Sequence, residues 1–186
     1  MTMIEISETP IPGMFVAKSH AVSDGRGAFM RLFCDEALAS AQNGRSVVQI
    51  NHSRTRRAGT VRGLHYQRPP RAEGKWVRCL RGQVYDVGVD IRSGSPTFLD
   101  HHAVVLDAAL GNAVFLPEGI AHGFQALCDE VELLYLHTAA YAPEHEGGLR
   151  VDDPTLALTW PRPVAELSER DANHPLIDET FRGLPC

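Results

Sequence analysis

The feature that most constrains this chain is a succession of short β segments running from about residue 47 to residue 138. They read "VVQINHS", "TVRGLHYQ", "KWVRCLRG", "QVYDVGVDIR", "HHAVVLD", "AVFLPEG", "HGFQALC" and "VELLYLHT", separated by Gly, Pro and Asp turns. Short strands this closely spaced point to an antiparallel sandwich or small barrel. Two of them meet at Arg81-Gly82, which reads as a hairpin corner. Outside this block, "HAVSDGRGAFMRLF" places a turn at Asp24-Gly25 before a β-compatible run. "CDEALASAQ" has Ala and Leu at helical spacing. "PVAELSERDA" carries helix-initiation signals, with Pro163 at the start and an acidic first turn.

No internal repeat, low-complexity tract or linker divides the chain, so residues 1–186 are expected to form a single domain. At 186 residues it is long enough to bury a substantial core. A formal net charge of −5 argues against nonspecific binding to nucleic acid or anionic membranes, which needs a basic footprint. No stretch reaches the length of a membrane span, and the N-terminus lacks the basic start and apolar run of a signal peptide. Cys34, Cys79, Cys128 and Cys186 are far apart and form no CxxC pair. Free thiols and a cytoplasmic location are the expectation.

Alternation assigns faces to the strands. Gly63, His65 and Gln67 share one face, opposite Arg62, Leu64 and Tyr66. Val84, Asp86, Gly88 and Asp90 share another, opposite the apolar Tyr85, Val87 and Val89. Val131, Leu133, Tyr135 and His137 lie together. An interior with this much polar character fits a small barrel that holds a ligand in its mouth.

The stretch "GNAVFLPEGIAHGF" reads G-x5-P-x-G-x2-H from Gly111 through Pro117 and Gly119 to His122, and matches the second motif of the cupin superfamily. The first cupin motif, G-x5-H-x-H, is met by Gly59 and His65, but Gln67 stands where the second histidine belongs. A cupin metal needs three or four nitrogen and oxygen ligands, so this set is short of a donor and no metal is expected. The adjacent His101 and His102 face opposite ways on a strand and do not jointly chelate.

"TVRGLHYQ", "EGKWVRCLRG", "VYDVGVDIRSGSPTF", "LPEGIAHGF", "LLYLHTAAYAPEHEGGLRVDDP" and "LTWP", in this order, resemble the dTDP-4-dehydrorhamnose 3,5-epimerase family over about residues 24–178. The resemblance implies an all-β, cupin-type double-stranded β-helix (jelly-roll) barrel with short flanking helices. It implies an isomerase that inverts C3 and/or C5 of a 4-keto-6-deoxy nucleotide sugar without metal or other cofactor. The C4 ketone of such a sugar acidifies the protons on C3 and C5, and inversion needs a base, an acid on the opposite face and a cation near the ketone oxygen. By resemblance, His65 is the base, Asp171 orients it, Tyr135 is the acid and Lys75 steadies the C4 oxygen. Arg26, Gln49, Asn51, Arg62, His122 and Tyr141 match substrate-binding positions. From sequence alone, Asp171 reads as a surface helix residue. Strict alternation points Arg62 away from His65, so either the strand bends at Gly63 or Arg62 has a structural task. The family also implies a homodimer, in which Arg26 serves the neighbouring subunit.

Three positions depart from the family pattern around the nucleotide base: Ala28 and Ala140 stand where aromatics are common, and Arg31 where a glutamate is common. Thymidine is the first expectation, with a larger purine as runner-up. Two further classes compete with the epimerase. A metal-dependent cupin enzyme is opposed by Gln67. A non-catalytic sugar-nucleotide binder is opposed by the acid–base set, which a binder does not need.

Overall fold

The computed structural model describes residues 4–185; Cys186 lies outside the described residues, and Cys34, Cys79 and Cys128 are free thiols. Two antiparallel sheets face each other. One has the order β1 (Ile4–Glu8), β2 (Phe15–Ser19), β10 (Asn112–Leu116), β7 (Lys75–Arg81), β12 (Val131–His137), β5 (Gln49–Thr55). The other runs β13 (Glu146–Gly148), β6 (Val61–Gln67), β11 (Ile120–Ala126), β8 (Gln83–Asp90), β9 (His101–Asp107). A hairpin of β3 (Val22–Asp24) and β4 (Gly27–Phe29) stands apart as a two-stranded sheet. From β5 to β12 the chain changes sheet at every connection except β8 to β9, the jelly-roll pattern expected of a cupin.

All eight expected strands are present with ends within three residues, but the hairpin expected at Arg81-Gly82 is not. β7 pairs with β10 and β12, whereas β8 pairs with β11 and β9. Gly82 instead carries the chain across from one sheet to the other, at φ +77 and tight against Cys128 and Val131. A glycine turn between two β segments has the same local chemistry in either case; partner strands far away in sequence decide the outcome.

Alternation fills three layers. Between the sheets lie Met14, Val77, Val84, Val114, Leu116, Phe124, Val131 and Leu133. Outside the six-stranded sheet, Trp76, Phe115 and Leu136 pack under α1 (Asp35–Gln42) through Leu38 and Ala41, and the Trp76 indole donates to Gln42 at 3.1 Å. Burying a side chain such as Leu38 contributes about 1.5–3 kcal/mol, which fixes this short helix on the sheet. Outside the five-stranded sheet, Val61, Leu64, Val87 and Val89 are covered by Leu149, Val151, Leu156, Trp160 and Leu167 of the C-terminal segment. The apolar outer face read from "VYDVGVD" is thus a buried one.

The second helix is much shorter than the sequence suggests. α2 spans only Glu169–Ala172, capped by Ser168, whose hydroxyl accepts from the Asp171 amide at 3.0 Å. The preceding residues are extended because they bond to the strand edge: Ala165 N–H donates to Gly59 O, and Val61 N–H to Glu166 O. Hydrogen bonds to a neighbouring strand outcompete the local helix signal at Pro163. No helix among the described residues is long and apolar enough to cross a membrane.

Candidate active site

One end of the space between the sheets is polar and open. It forms a cavity of about 1080 Å³ bordered by β5, β6, β7, β11, β12 and the segment around α2. On β6, the register with β11 shifts: His65 lies opposite His122, yet Arg62 lies opposite Phe124. Three residues on β6 therefore span two on β11, a bulge at Gly63. A Cβ at Gly63 would lie 2.4 Å from Gly123 Cα, so the two backbones approach as only glycines permit. The bulge breaks the alternation and brings Arg62 and His65 to the same cavity. The strand bends at Gly63, one of the two readings left open by sequence, while Arg62 also keeps bonds to the neighbouring strand.

His65 Nε2 lies 2.8 Å from Asp171 Oδ1. The other carboxylate oxygen, Oδ2, accepts the Gly63 amide at 3.2 Å. Asp171 is buried, not a surface residue. Burial by itself raises its pKa, but the His65 hydrogen bond, the imidazole charge and the Gly63 and Ser168 contacts outweigh it and leave the pKa below the ordinary carboxylate range. The dyad thus holds an ionised carboxylate against one ring nitrogen and leaves the other for the cavity.

Across the cavity, β12 presents Tyr135. Its hydroxyl accepts from Ser53 at 3.3 Å, and its ring centroid is 6.2 Å from that of His122. Burial pushes the phenol well above its usual pKa, opposed by the Ser53 hydrogen bond and the Arg62 charge. It is therefore protonated at neutral pH. His122, directly across the strand pair from His65, bonds Asp86 at 2.9 Å. Burial lowers the His122 pKa against the pull of Asp86, and the positive charges of Lys75 and His65 lower it further, so these groups converge.

Lys75, on β7, meets Glu73 at 3.0 Å; the other oxygen of Glu73 is 2.8 Å from His137 Nδ1. Burial raises the Glu73 pKa, yet Lys75 and then His137 bring it down to about 2. Asn51 contacts His137 Nε2 at 3.3 Å and accepts from Gln49, which in turn accepts the Tyr141 amide. The Tyr141 hydroxyl donates to Glu146 at 2.8 Å, and that hydrogen bond raises its pKa. Arg62 donates to Thr55 and to the Arg54 carbonyl. Both are neutral oxygens, so no carboxylate compensates its charge in these bonds.

The structure therefore gathers His65, Asp171, Tyr135, Lys75, Arg62, His122, Gln49, Asn51 and Tyr141 around one cavity. It does not bring Arg26 there. Arg26 lies on the β3–β4 hairpin, paired with Asp24 and highly exposed. Sequence reading missed Ser53, Glu73, Glu146 and Arg170, all on the cavity wall. Alternation from Gln49 and Asn51 could have found Ser53, and alternation back from Lys75 could have found Glu73; nothing local marks Arg170.

At the cupin motif Gln67 stands in place of a second histidine and spends its amide on backbone, donating to Arg71 O at 2.8 Å and accepting the Ala142 amide at 2.7 Å. His122 and His65 each give one ring nitrogen to a carboxylate, Asp86 and Asp171. His65, Asp171 and His174 bring ligand atoms within 4.8 Å of one another.

A family model described as dTDP-4-dehydrorhamnose 3,5-epimerase matches residues 8–179. The chain belongs to this family. It is 39% identical over 182 residues to the dTDP-4-dehydrorhamnose 3,5-epimerase of Salmonella typhimurium, covering 96% of this chain and 98% of the relative. Among solved structures, it is similar to a dTDP-6-deoxy-D-glucose-3,5-epimerase from Legionella pneumophila in complex with dTDP-4-keto-L-rhamnose. The TM-score is 0.89 and the identity 36%, with 98% of this chain and 97% of the other covered. It is also similar to a 3′-monoepimerase from Streptomyces bikiniensis in complex with dTDP-quinovose, with a TM-score of 0.83, 36% identity, and 90% and 85% coverage. The cupin-type all-β fold and the isomerase class follow from membership.

Proposed function

We propose that this chain inverts C3, C5 or both in a dTDP-4-keto-6-deoxy sugar of the 4-dehydrorhamnose series, the whole chain acting as one catalytic domain. One observation carries the reading: a His65–Asp171 dyad at 2.8 Å shares a cavity with the Tyr135 hydroxyl and with Lys75.

In this reading the ring nitrogen of His65 not engaged by Asp171 removes the proton on the carbon next to the ketone. The electron pair moves onto the C4 oxygen, where the Lys75 ammonium offsets the developing charge. Asp171 holds the ring and stabilises the imidazolium that forms. The Tyr135 hydroxyl delivers a proton to the opposite face, leaving a phenolate that Arg62 stabilises. His65 then loses its proton to solvent and Tyr135 regains one, so the protein returns to its starting state. Arg62, bonded to neutral oxygens, and His122 line the path for the diphosphate and sugar; Gln49, Asn51 and Tyr141 border the same space. Planar guanidinium groups suit phosphate oxygens because they donate two parallel bonds.

We further propose a homodimer. Val22 (56% exposed) and Phe29 (67%), paired across the β3–β4 hairpin, leave an apolar surface that a second copy would cover. Arg26, remote from its own cavity, would then reach the partner's. Light scattering of the purified protein reads the dimer directly.

The function is tested by incubating the protein with dTDP-4-keto-6-deoxyglucose in D2O and following the product by NMR. Deuterium at C3, C5 or both, with inversion, is expected from the wild type and not from His65→Asn. The labelled positions report which carbons are inverted. Absence of exchange and inversion across a panel of 4-keto nucleotide sugars would refute the proposal.

A further inference from the structure

Glu73 and His137 have no part in the proton transfers above, yet both line the same cavity, His137 buried and Glu73 partly so. Their contacts tie together the two groups on that side that do act. Lys75 and His137 stand directly opposite each other on paired strands. Glu73 bridges them, with Oε1 3.0 Å from the Lys75 ammonium and Oε2 2.8 Å from His137 Nδ1. His137 Nε2 meets Asn51 at 3.3 Å, so both ring nitrogens are engaged and the imidazole is locked. Its ring lies nearly parallel to that of Tyr135, at 20° with centroids 6.1 Å apart, two residues along the same face of β12.

We propose that Glu73 and His137 are positioning residues: a clamp that holds the Lys75 ammonium in place for the C4 oxygen and the Tyr135 ring in place for reprotonation. This rests on the function proposed above. A lysine on a four-carbon stem is free to swing unless a fixed acceptor pins it. Glu73 is such an acceptor, because its second oxygen is anchored by a histidine that cannot turn. The same histidine confines the phenol on one side, while Ser53 confines its hydroxyl. Misplacing either group by an ångström from productive geometry can cost on the order of 100-fold in rate.

The two arms of the clamp separate by substitution. His137→Asn keeps a donor near Nδ1 for Glu73 but removes the ring beside Tyr135. His137→Phe keeps a ring but removes the donor. Both are assayed in D2O with dTDP-4-keto-6-deoxyglucose, measuring deuterium wash-in and stereochemical inversion separately, with kcat and KM for each. His137→Asn is expected to wash in deuterium near the wild-type rate while inversion falls about tenfold or more, because His65 still works but the acid opposite is loose. His137→Phe is expected to lose both on the order of 100-fold together, with KM little changed, because enolate formation itself suffers. Glu73→Gln, which weakens the same arm by a smaller change, should resemble His137→Phe and carries that arm if the phenylalanine variant does not fold. A merely structural pair would lower the melting temperature and reduce wash-in and inversion in parallel in every variant. That pattern, or near wild-type rates throughout, overturns the clamp. Wild-type protein inert towards the substrate would overturn the function and the clamp with it; active wild type with unsplit variants overturns the clamp alone.

Discussion

Replacing Asp171 by asparagine tests the dyad at its most exposed assumption, that a carboxylate sets the tautomer of His65. In the wild type, one oxygen of Asp171 faces His65 Nε2 and the other accepts the Gly63 amide. An asparagine has only one oxygen. If that oxygen keeps the Gly63 amide, its NH2 group faces Nε2, and the neutral imidazole must carry its proton on the cavity-side nitrogen, where the base is needed. If the amide turns over, the tautomer is restored but the buried Gly63 N–H is left against an NH2 group, at a cost of about 1–3 kcal/mol. In both orientations the negative charge that stabilises the imidazolium is gone, worth roughly another 1–3 kcal/mol for a charged hydrogen bond. The sum, about 2–6 kcal/mol, corresponds to a kcat loss of roughly 30- to 3 × 10⁴-fold. The assay is deuterium wash-in at C3 and C5, which isolates the first proton transfer, with circular dichroism to check folding. A folded Asp171→Asn variant that loses less than about threefold in wash-in would refute the dyad reasoning.

Two other outcomes follow from the same geometry. Gly63→Ala places a Cβ 2.4 Å from Gly123 Cα at a residue with φ +128; overpacking plus backbone strain is expected to cost about 2–4 kcal/mol, read as a lowered urea midpoint and a loss of activity from displacement of Arg62 and His65. For Glu73, the folded pKa of about 2 lies below its ordinary 4.5, so the unfolded state binds the extra proton. The resulting stability is full above about pH 4.5 and is lost as pH falls towards 2, on the order of 3 kcal/mol in all. Urea unfolding at pH 6 and pH 3 should show a larger drop for wild type than for Glu73→Gln; equal drops would contradict this assignment.

Much of the fold was legible because period-two alternation survives in most of the strands that face a core, β6 with its bulge at Gly63 being the exception. Val87 and Val89 on one side, and Val84, Phe124 and Leu133 on the other, are hydrophobic for reasons each strand carries by itself. Legibility failed where a distant partner competes with a local signal. The "PVAEL" stretch has helix-initiating chemistry, but the backbone groups of Gly59 and Val61 were available to bond it. The β7–β8 junction has a turn glycine, but β12 and β11 claim the two strands separately.

The site divides in the same way. His65, Lys75, Tyr135 and His122 announce themselves in sequence, because reactive side chains interrupt otherwise apolar strands and fall into a recognisable order. That order carries the resemblance to the family, and the resemblance implied the fold class and the kind of chemistry. Tertiary structure alone decided the rest. Asp171 reaches His65 across 106 positions of chain, and no local pattern records a partner that far away. Arg62 joins His65 only because Gly63 and Gly123 pack backbone to backbone and add one residue to β6. Glu73 and His137 become a unit only where their strands meet. A sequence specifies which groups exist and which face each strand turns inward; register, bulges and long-range pairing specify which of those groups touch.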